Sequence, residues 1–282
     1  MSGTRRRKAL SGLVVVLCGA AVALALVPLA FVFFYVIQQG FSSLNWDFFT
    51  KMPKPVGEPG GGMANAIVGT LILIGIAGAI AIPVGIIAGV YLSEYGKRPF
   101  ASLVRFTADI LNGVPSIVIG IFAYGLAVLP VKHFSALAGG LALSFMMVPI
   151  ITRTTEELLN LVPATLREGS LALGATRART AFAVMVPAAL PGIMTGILVA
   201  LARIAGETAP LLFTAFNNRF FSTALNQPIS SLPVQVYTYA ISPYDDWHRQ
   251  AWAGALVLVS VVFLFSVLAR VVTRRLERMH RT

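Results

Sequence analysis

Three polar residues, Arg203, Glu207 and Thr208, lie in a long and otherwise apolar stretch of the sequence. If this stretch spans a bilayer, a charged side chain there costs roughly 2.5–3.5 kcal/mol, so its presence points to a function. Arg203 and Glu207 are four positions apart and would share one face of a continuous helix. A guanidinium offers planar, paired donors to a tetrahedral oxyanion and never loses its charge. The pattern predicts an oxyanion pathway in which Glu207 holds Arg203 and moderates its affinity; a structural ion pair between helices is the alternative.

A second polar group, Asp109, Asn112 and Ser116, follows one face of a segment that Pro115 interrupts. Because a proline disfavours helix at the residue before it, the run Asn112-Gly113-Val114-Pro115 predicts a break. Helices that break at membrane depth often line a cavity. We therefore take all three residues as candidates for the pathway. Asp109 is expected near the cytoplasmic interface, well below the charged pair, where a structural role is the alternative.

The loop 164–187 is too polar to span a membrane, yet it is patterned. Thr165 and Glu168 fit a capping box, which predicts a helix start. Gly174 fits a left-handed helix stop, and Thr176 fits the cap of a second short helix. The loop is therefore predicted to be a compact helix–turn–helix that suits docking onto a soluble partner.

Catalysis on this chain is not predicted. Gly96-Lys97 is the only Gly-Lys pair, Arg98 follows it, and the chain has no G-x-x-x-x-G-K-[ST] phosphate loop. His133, His248 and His280 are expected near span ends or in loops, so neither a catalytic cluster nor a metal site is predicted. The net charge of +11 is spread over short clusters between apolar segments, which argues against nucleic-acid binding.

Composition indicates the solvent in which the chain folds. Hydrophobic residues make up 57% of the 282 residues and charged residues only 12%, whereas a soluble domain is about a quarter charged. The apolar runs are long enough for transmembrane helices, which need roughly 20 residues. We predict an all-α membrane protein with one transmembrane domain, 12–271, between the cytoplasmic tails 1–11 and 272–282. This domain is predicted to contain six membrane spans: 12–38, 64–92, 112–131, 135–153, 187–212 and 250–271.

The basic residues orient these spans. With both termini in the cytoplasm, sixteen Lys and Arg residues lie on the cytoplasmic side and five on the opposite side, with Arg203 inside a span. This bias satisfies the positive-inside rule and predicts a multi-pass membrane protein with both termini in the cytoplasm. The N-terminal apolar run is too long for the core of a signal peptide and is read as a retained helix. We call the cytoplasmic side the inner side and the opposite side the outer side.

Several local expectations follow from this topology. Residues 99–111 read as an interfacial helix, and Gly85 and Gly89 as a helix-packing motif. Glu156 and Glu157 are expected at a solvated helix end. The long outer segments 40–62 and 213–249 are expected outside the membrane, the second as an ordered, aromatic surface that docks a partner, covers the pathway or forms an interfacial belt.

The loop also resembles a known motif. Permeases of ATP-binding cassette (ABC) importers carry the pattern E-A-A, three residues, Gly, nine residues, I-x-L-P. Here the pattern is Glu168-Gly169-Ser170, three residues, Gly174, nine residues, then Val184-Met185-Val186-Pro187. The departures keep side chains small or apolar. The resemblance implies a type I ABC importer permease fold and a coupling loop, 164–187, that contacts an ATPase subunit through Glu168, Gly169, Ser170, Gly174 and Pro187.

Three further stretches resemble the phosphate-specific permeases, and most of all their PstA-type subunits: Gly61 to Thr70, Asp109 to Gly120 and Arg203 to Thr208. The resemblance covers nearly the whole chain. It implies a heterodimer with a PstC-like permease, two PstB-type ATPase subunits that carry the ATP and Mg²⁺, and a PstS-type phosphate-binding protein on the outer side. The chain itself would need no cofactor. The alternatives are a permease for molybdate or sulfate and a secondary transporter that needs no ATPase.

Overall fold

The computed structural model describes residues 2–56, 58, 60–96 and 98–279, and this part of the chain contains helices and connecting segments but no strand. Two π-helical segments extend the helices, Tyr124–Val128 after α5 and Ala181–Met185 between α8 and α9. Within the described residues the α-helices are, in order, α1 (Ser2–Phe41), α2 (Trp46–Thr50), α3 (Ala64–Tyr95), α4 (Pro99–Gly113), α5 (Ser116–Ala123), α6 (Ala136–Leu161), α7 (Ala164–Ala172), α8 (Arg177–Thr180), α9 (Val186–Ala205), α10 (Ala209–Thr214), α11 (Leu232–Ala240) and α12 (Asp245–Met279).

Membrane spans account for most of this architecture. Five helical runs in the described residues are long and apolar enough to cross a bilayer, and the bent pair α4–α5 makes a sixth if it counts as one span. The predicted spans 12–38, 64–92, 135–153 and 250–271 fall on α1, α3, α6 and α12. The all-α membrane class is therefore confirmed, while the third and fifth spans differ in detail from the prediction.

The third span is broken where the sequence predicts it. Val114 and Pro115 leave the helical conformation between α4 and α5, and the two helices meet at a bend of 111°. The helical run Ser116–Val128 rises only about 20 Å at 1.5 Å per residue, less than a hydrocarbon core of about 30 Å. The full span predicted over 112–131 is therefore too long.

Helix α4 has the surface that an interfacial helix needs. Pro99 stands in its first turn, where the missing N–H costs nothing. Its small residues Ala101 and Ala108 are buried. An apolar stripe on another face is exposed, which suits a helix lying along a membrane surface; it consists of Phe100, Leu103, Phe106 and Ile110.

The fifth span ends earlier than predicted. Helix α9 stops at Ala205, and α10 begins only at Ala209, so the predicted continuous span 187–212 is wrong. The N–H of Gly206 turns back to the carbonyl of Arg203 at 3.3 Å, which closes the helix. Pro210 lies in the first turn of α10, where its fixed φ and missing N–H favour a new start.

Helices α3 and α6 form the centre of the bundle, and glycines allow their close approach. A Cβ on Gly85 would lie 2.7 Å from the Ile151 side chain, and one on Gly89 would lie 2.5 Å from Cβ of Thr155. This confirms that the two glycines pack helices together. The principal core is built around this pair, with α9 and α10 packed against it.

The outer segment 213–249 is ordered, as predicted. Its backbone is bonded to the outer ends of the spans: the N–H of Leu232 donates to Oγ1 of Thr70 at 2.8 Å, and the N–H of Ala136 donates to the carbonyl of Gln227 at 3.0 Å. Such bonds satisfy backbone groups that would otherwise be orphaned at the helix ends. The segment therefore forms a fixed outer layer over α3 and α6.

The segment 40–62 packs near the outer end of α12 and contributes to a second hydrophobic core. It contains α2, whose Phe48 is fully buried, and the carbonyl of Phe48 accepts from the N–H of Met63 at 2.9 Å. A Cβ on Gly62 would lie 2.3 Å from the Asp47 carbonyl oxygen, so the close approach requires glycine. Helix α3 then begins at Ala64, as predicted.

Helix α1 leans on α12 through its outer end alone. The ring of Tyr35 meets Trp252 edge-on with centroids 5.1 Å apart, and Gly40 lies against the Trp252 backbone. The most apolar stretch of α1 is otherwise exposed. The predicted tails 1–11 and 272–282 are helical where they are described; Met1, Gly57, Pro59, Lys97 and residues 280–282 lie outside the described residues.

The α3–α6 contact yields a stability prediction. Gly85→Ala forces a methyl group against Ile151 and should lower the free energy of unfolding by about 1–3 kcal/mol, measured as the thermal unfolding midpoint in detergent. The matched control is Gly75→Ala in the same helix, where a Cβ meets nothing within 4 Å. Because alanine favours helix, this control should be neutral or stabilising by up to about 1 kcal/mol. Equal midpoints for the two variants would contradict the close contact.

Candidate functional site

Arg203 lies in the last turn of α9, next to the helix break. The C-terminal end of a helix carries partial negative charge and favours a cation. The side chain is exposed on the surface of the chain, while the neighbouring Ile204 and Ala205 are buried in the core. The guanidinium is therefore held at a fixed backbone position with its donors directed away from the core.

Glu207 does not share a helical face with Arg203. It follows the end of α9, and no ion pair within 4.0 Å joins the two side chains among those recorded for the described residues. The prediction of an i,i+4 helical pair is wrong because Gly206 ends the helix between them. Thr208 occupies the N-cap position of α10, where its side chain makes no capping bond. Both Glu207 and Thr208 are half-buried.

The break between α4 and α5 lies in the same part of the bundle as the break between α9 and α10, because α5 packs directly on α10. A Cβ on Gly120 would lie 2.6 Å from the Cα of Pro210, so the two short helices touch backbone to backbone. Ser116 begins α5 and is half-buried, whereas Asn112 is exposed near the end of α4. The two interrupted spans are thus adjacent, and each carries the polar residues predicted for it.

Asp109 has a different partner. Its Oδ1 lies 3.0 Å from Nε of Arg153 on α6, and the carboxylate is half exposed. The expectation that Asp109 stays apart from Arg203 agrees with this pairing, which ties α4 to α6. A place for Asp109 in the pathway stays a prediction.

Glu156 contradicts the expectation of a solvated helix end. It is 4% exposed, and Nε of Arg105 on α4 donates to its Oε1 at 3.0 Å. Arg153, one turn earlier on α6, pairs with the other oxygen. A buried carboxylate needs such partners, because without them nothing compensates the free-energy cost of removing the anion from water. Glu157, with a side chain that is 69% exposed, does lie at a solvated position.

No local sequence pattern predicts this cluster of Arg105, Asp109, Arg153 and Glu156. Its members come from two helices that are far apart in the chain, and a charge on a polar helix end is most often solvated. The usable signal was the i,i+3 spacing of Arg153 and Glu156, which puts the pair on one face.

At the inner side, the coupling loop folds as the predicted helix–turn–helix. Gly174 has φ +82°, the left-handed conformation that favours glycine. The N–H of Ala175 donates to the carbonyl of Ser170 at 3.2 Å and the N–H of Gly174 to that of Leu171 at 3.0 Å, which is a Schellman closure. The side chain of Thr176 accepts from the N–H of Arg179 and caps α8. The predicted stop and second cap are confirmed.

The predicted first cap is wrong. Helix α7 begins at Ala164 with Pro163 in the N-cap position, and no side chain caps it. Thr165 therefore lies inside the helix, where it cannot form a capping box with Glu168. Proline takes over the start because its φ and its restriction on the preceding residue fix the entry of the chain.

Most side chains of helix α7 and of the turn after it are exposed. Helix α7 buries none of its residues, and Glu168 and Gly169 are exposed. Apolar side chains are exposed as well, with Leu173 90% and Phe182 51% accessible. Exposed apolar groups beside charged ones are typical of an interaction surface. Pro187 lies in the first turn of α9, where α8, the π-helical segment and α9 join into one continuous helix.

The described residues contain no group of three or more His, Cys, Asp or Glu side chains placed to hold a metal ion. The absence of a cofactor on this chain stays a prediction.

The fold and these positions define a polytopic membrane protein of the transport-permease class. The family described as "Binding-protein-dependent transport system inner membrane component" matches residues 81–278. The phosphate transport system permease protein PstA of Yersinia pestis is 45% identical over 269 residues, covering 95% of this chain and 90% of that protein. A probable phosphate transport system permease protein PstA of Methanocaldococcus jannaschii is 37% identical and covers 87% of each chain.

Solved structures share the fold. A chain of a bacterial alginate ABC transporter superposes with a TM-score of 0.67 at 14% identity, covering 93% of this chain and 94% of that one. A chain of the MetNI methionine ABC transporter, in an inward-facing conformation, gives 0.60 at 20% identity over 76% of this chain and 94% of that one. The chain belongs to the family of binding-protein-dependent transport system inner membrane components and, within it, to the PstA permeases.

The turn of the coupling loop yields a local prediction. Gly174→Ala puts a Cβ in the left-handed region at a cost of roughly 1–2 kcal/mol, which should speed amide hydrogen exchange at residues 170–176 about tenfold. Gly169→Ala is the control, because neither glycine has an atom within 4 Å of its Cβ position and only Gly174 has positive φ. The control should exchange as the original chain does or more slowly, because alanine favours helix; comparable acceleration in both would refute the strained turn.

Proposed function

We propose that this chain is a permease subunit of an ATP-driven importer that carries inorganic phosphate across the bacterial inner (plasma) membrane. The chain binds and passes the anion, and ATP with Mg²⁺ is consumed on a separate ATPase subunit. The similarity to PstA permeases over 95% of the chain supports phosphate as the substrate. The geometry of the helix break supports the choice of residues.

The observation that carries the proposal is the state of Arg203. It has an exposed guanidinium at the end of a transmembrane helix, and its nearest candidate carboxylate, Glu207, is not bonded to it in the described structure. A guanidinium in a span cannot face lipid without a large cost. Its donors therefore face a polar pathway or a second subunit, and they are free for an oxyanion.

The two helix breaks give the pathway its neutral polar groups. Thr208 and Ser116 are half-buried beside the breaks, and backbone groups at such breaks are tolerated where they line a water-filled cavity. Glu207 lies on the segment after Arg203 and limits how tightly an anion is held there. A pathway needs this balance, because an anion that binds too tightly does not leave.

The remaining subunits follow from the surfaces of the chain. The coupling loop, with Glu168, Gly169, Ser170, Gly174 and Pro187, docks one of two PstB-type ATPase subunits. The unpaired apolar face of α1 and the side that bears Arg203 meet a PstC-like permease. The ordered outer segment 213–249 receives a PstS-type phosphate-binding protein. ATP-driven closure of the ATPases opens the pathway outward, and the released phosphate then leaves inward.

Two other functions make different predictions. A permease for molybdate or sulfate would show competition by those anions in uptake assays. A secondary transporter would sustain uptake in ATP-depleted vesicles on an ion gradient alone. Uptake that requires ATP and that excess sulfate does not inhibit supports the proposal over both.

Arg203→Ala tests the pathway. We expect phosphate uptake by the reconstituted complex to fall by about two orders of magnitude or more, as for loss of a paired charge contact of several kcal/mol, while the chain still co-purifies with its partners. Arg270→Ala removes an exposed arginine near the inner end of α12 and should leave uptake unchanged. Normal uptake by the Arg203 variant in an assembled complex would end the assignment.

A further inference from the structure

Helix α7 of the coupling loop is attached to the rest of the chain by very few side chains. Helix α7 buries none of its residues, so apolar packing does not fix its position. Within the described structure, Ser170 Oγ lies 3.0 Å from Thr180 Oγ1 and joins α7 to α8. The other side-chain attachment of α7 is Arg167, which reaches the inner ends of two transmembrane helices.

Arg167 makes a defined ionic contact. Its Nη2 lies 2.9 Å from Oε1 of Glu94 near the end of α3, and the side chains of Arg167 and Glu94 are 32% and 9% exposed. The same Nη2 donates to Oγ of Ser93 at 3.5 Å, and that hydroxyl donates to Oδ1 of Asn160 on α6 at 3.0 Å. One guanidinium thus joins the coupling loop to α3 directly and to α6 through one hydroxyl.

The contact is enclosed rather than solvated. The Nε of Arg167 is buried and has no hydrogen-bond partner among the described residues. The buried carboxylate of Glu94 has the Arg167 guanidinium as its recorded ionic partner. A buried charge that loses its partner is strongly disfavoured, so the pair holds together where an exposed pair would exchange with water.

Arg167 and Glu168 are adjacent on α7 but serve opposite directions. Glu168 is exposed toward the inner side, where the ATPase is proposed to dock, whereas Arg167 is half-buried against α3. A force applied to α7 has three routes into the bundle. Two are covalent, through Val162 and Pro163 into α6 and through α8 into α9. The third is the Arg167–Glu94 pair into α3.

The ionic route ends in the closely packed α3–α6 pair. Helices α3 and α6 contact each other through Gly85, Gly89 and Gly140, where an added Cβ would lie closer to atoms of the opposite helix than van der Waals contact allows. Packed helices of this kind move as a unit, since close-packed cores do not deform continuously. A displacement delivered to Glu94 therefore moves α3 and α6 together.

We infer that Arg167 is a positioning residue for energy coupling: its ion pair with Glu94 transmits movement of the coupling loop to the α3–α6 pair, so that ATP hydrolysis drives transport. This inference rests on the proposed function for the ATPase partner. Without the pair, the ATPase still docks and hydrolyses ATP, but α3 is no longer held to the loop, and movement of α7 reaches the α3–α6 pair only through the two-residue connection to α6.

The test uses the full complex of the chain with its permease, ATPase and binding-protein partners in proteoliposomes. Glu94→Gln and Arg167→Gln should each co-purify with the ATPase and keep basal ATP hydrolysis, while phosphate taken up per ATP hydrolysed falls about fivefold or more, as for the loss of coupling between two sites. Glu157→Gln is the matched control, since that carboxylate lies near the inner end of α6, is 69% exposed and is 3.9 Å from its nearest guanidinium. The control should keep the original ratio.

A cross-linking experiment separates coupling from folding. In a background in which the native Cys18 is replaced by serine, Glu94→Cys with Arg167→Cys should give the low ratio, and a short bis-methanethiosulfonate, which forms a disulfide with each cysteine and releases sulfinate, should restore it. An unchanged ratio in both glutamine variants, or a cross-linked complex that assembles but stays uncoupled, would overturn the inference.

Failure of the proposed substrate is distinguishable from failure of this inference. If the original complex takes up no phosphate, the substrate is wrong, and coupling is then read as the stimulation of ATP hydrolysis by the binding protein loaded with phosphate or, in parallel, sulfate or molybdate. Stimulation that is lost in Glu94→Gln and regained on cross-linking still supports the Arg167–Glu94 pair. Stimulation that is equal in all variants refutes it.

Discussion

The hydrocarbon core of a membrane leaves a backbone polar group no partner outside the protein, and this constraint governs where the chain departs from helix. Long helices satisfy it by themselves. Two spans are interrupted by non-helical residues, one between α4 and α5 and the other between α9 and α10. The two short helices that follow these breaks pack on each other through Gly120 and Pro210. The exposed backbone is thereby gathered at one place, which concentrates the polarity that a transported anion needs.

Arginine serves two purposes in this bundle, and the neighbouring carboxylates decide which. Arg105, Arg153 and Arg167 lie toward the inner side and are each bonded to a glutamate on another element or turn. Their charges are neutralised, so they fasten helices together. Arg203 lies in the last turn of a helix, and Glu207 lies beyond the end of that helix and is not paired with Arg203 in the described structure. The same residue type is structural where its charge is paired and a candidate ligand-binding group where it is not.

Sequence reasoning succeeded where the signal is local. Pro115, Gly174 and Thr176 each act within a few residues, and each has the predicted structural effect. It failed where the outcome depends on chain segments that meet only in the fold, as for the burial of Glu156 or the contact of Glu94 with Arg167. The prediction that Arg203 and Glu207 share a helical face is wrong for another reason. Their four-residue spacing gives a shared face only in a continuous helix, whereas Gly206 ends the helix and Pro210 favours the start of a new one.

The position of Arg203 acquires its meaning from the helix that carries it. From Arg177 to Ala205 the chain is one helical run of 29 residues, about 44 Å long at 1.5 Å per residue. Its inner end is the second helix of the coupling loop, and its outer end is the turn that holds Arg203. The π-helical segment Ala181–Met185 lies just before Pro187, which has no N–H to give to the preceding turn. A single element thus joins the loop to the guanidinium, and in our proposal the Arg167–Glu94 pair adds α3 to the helices that follow the loop.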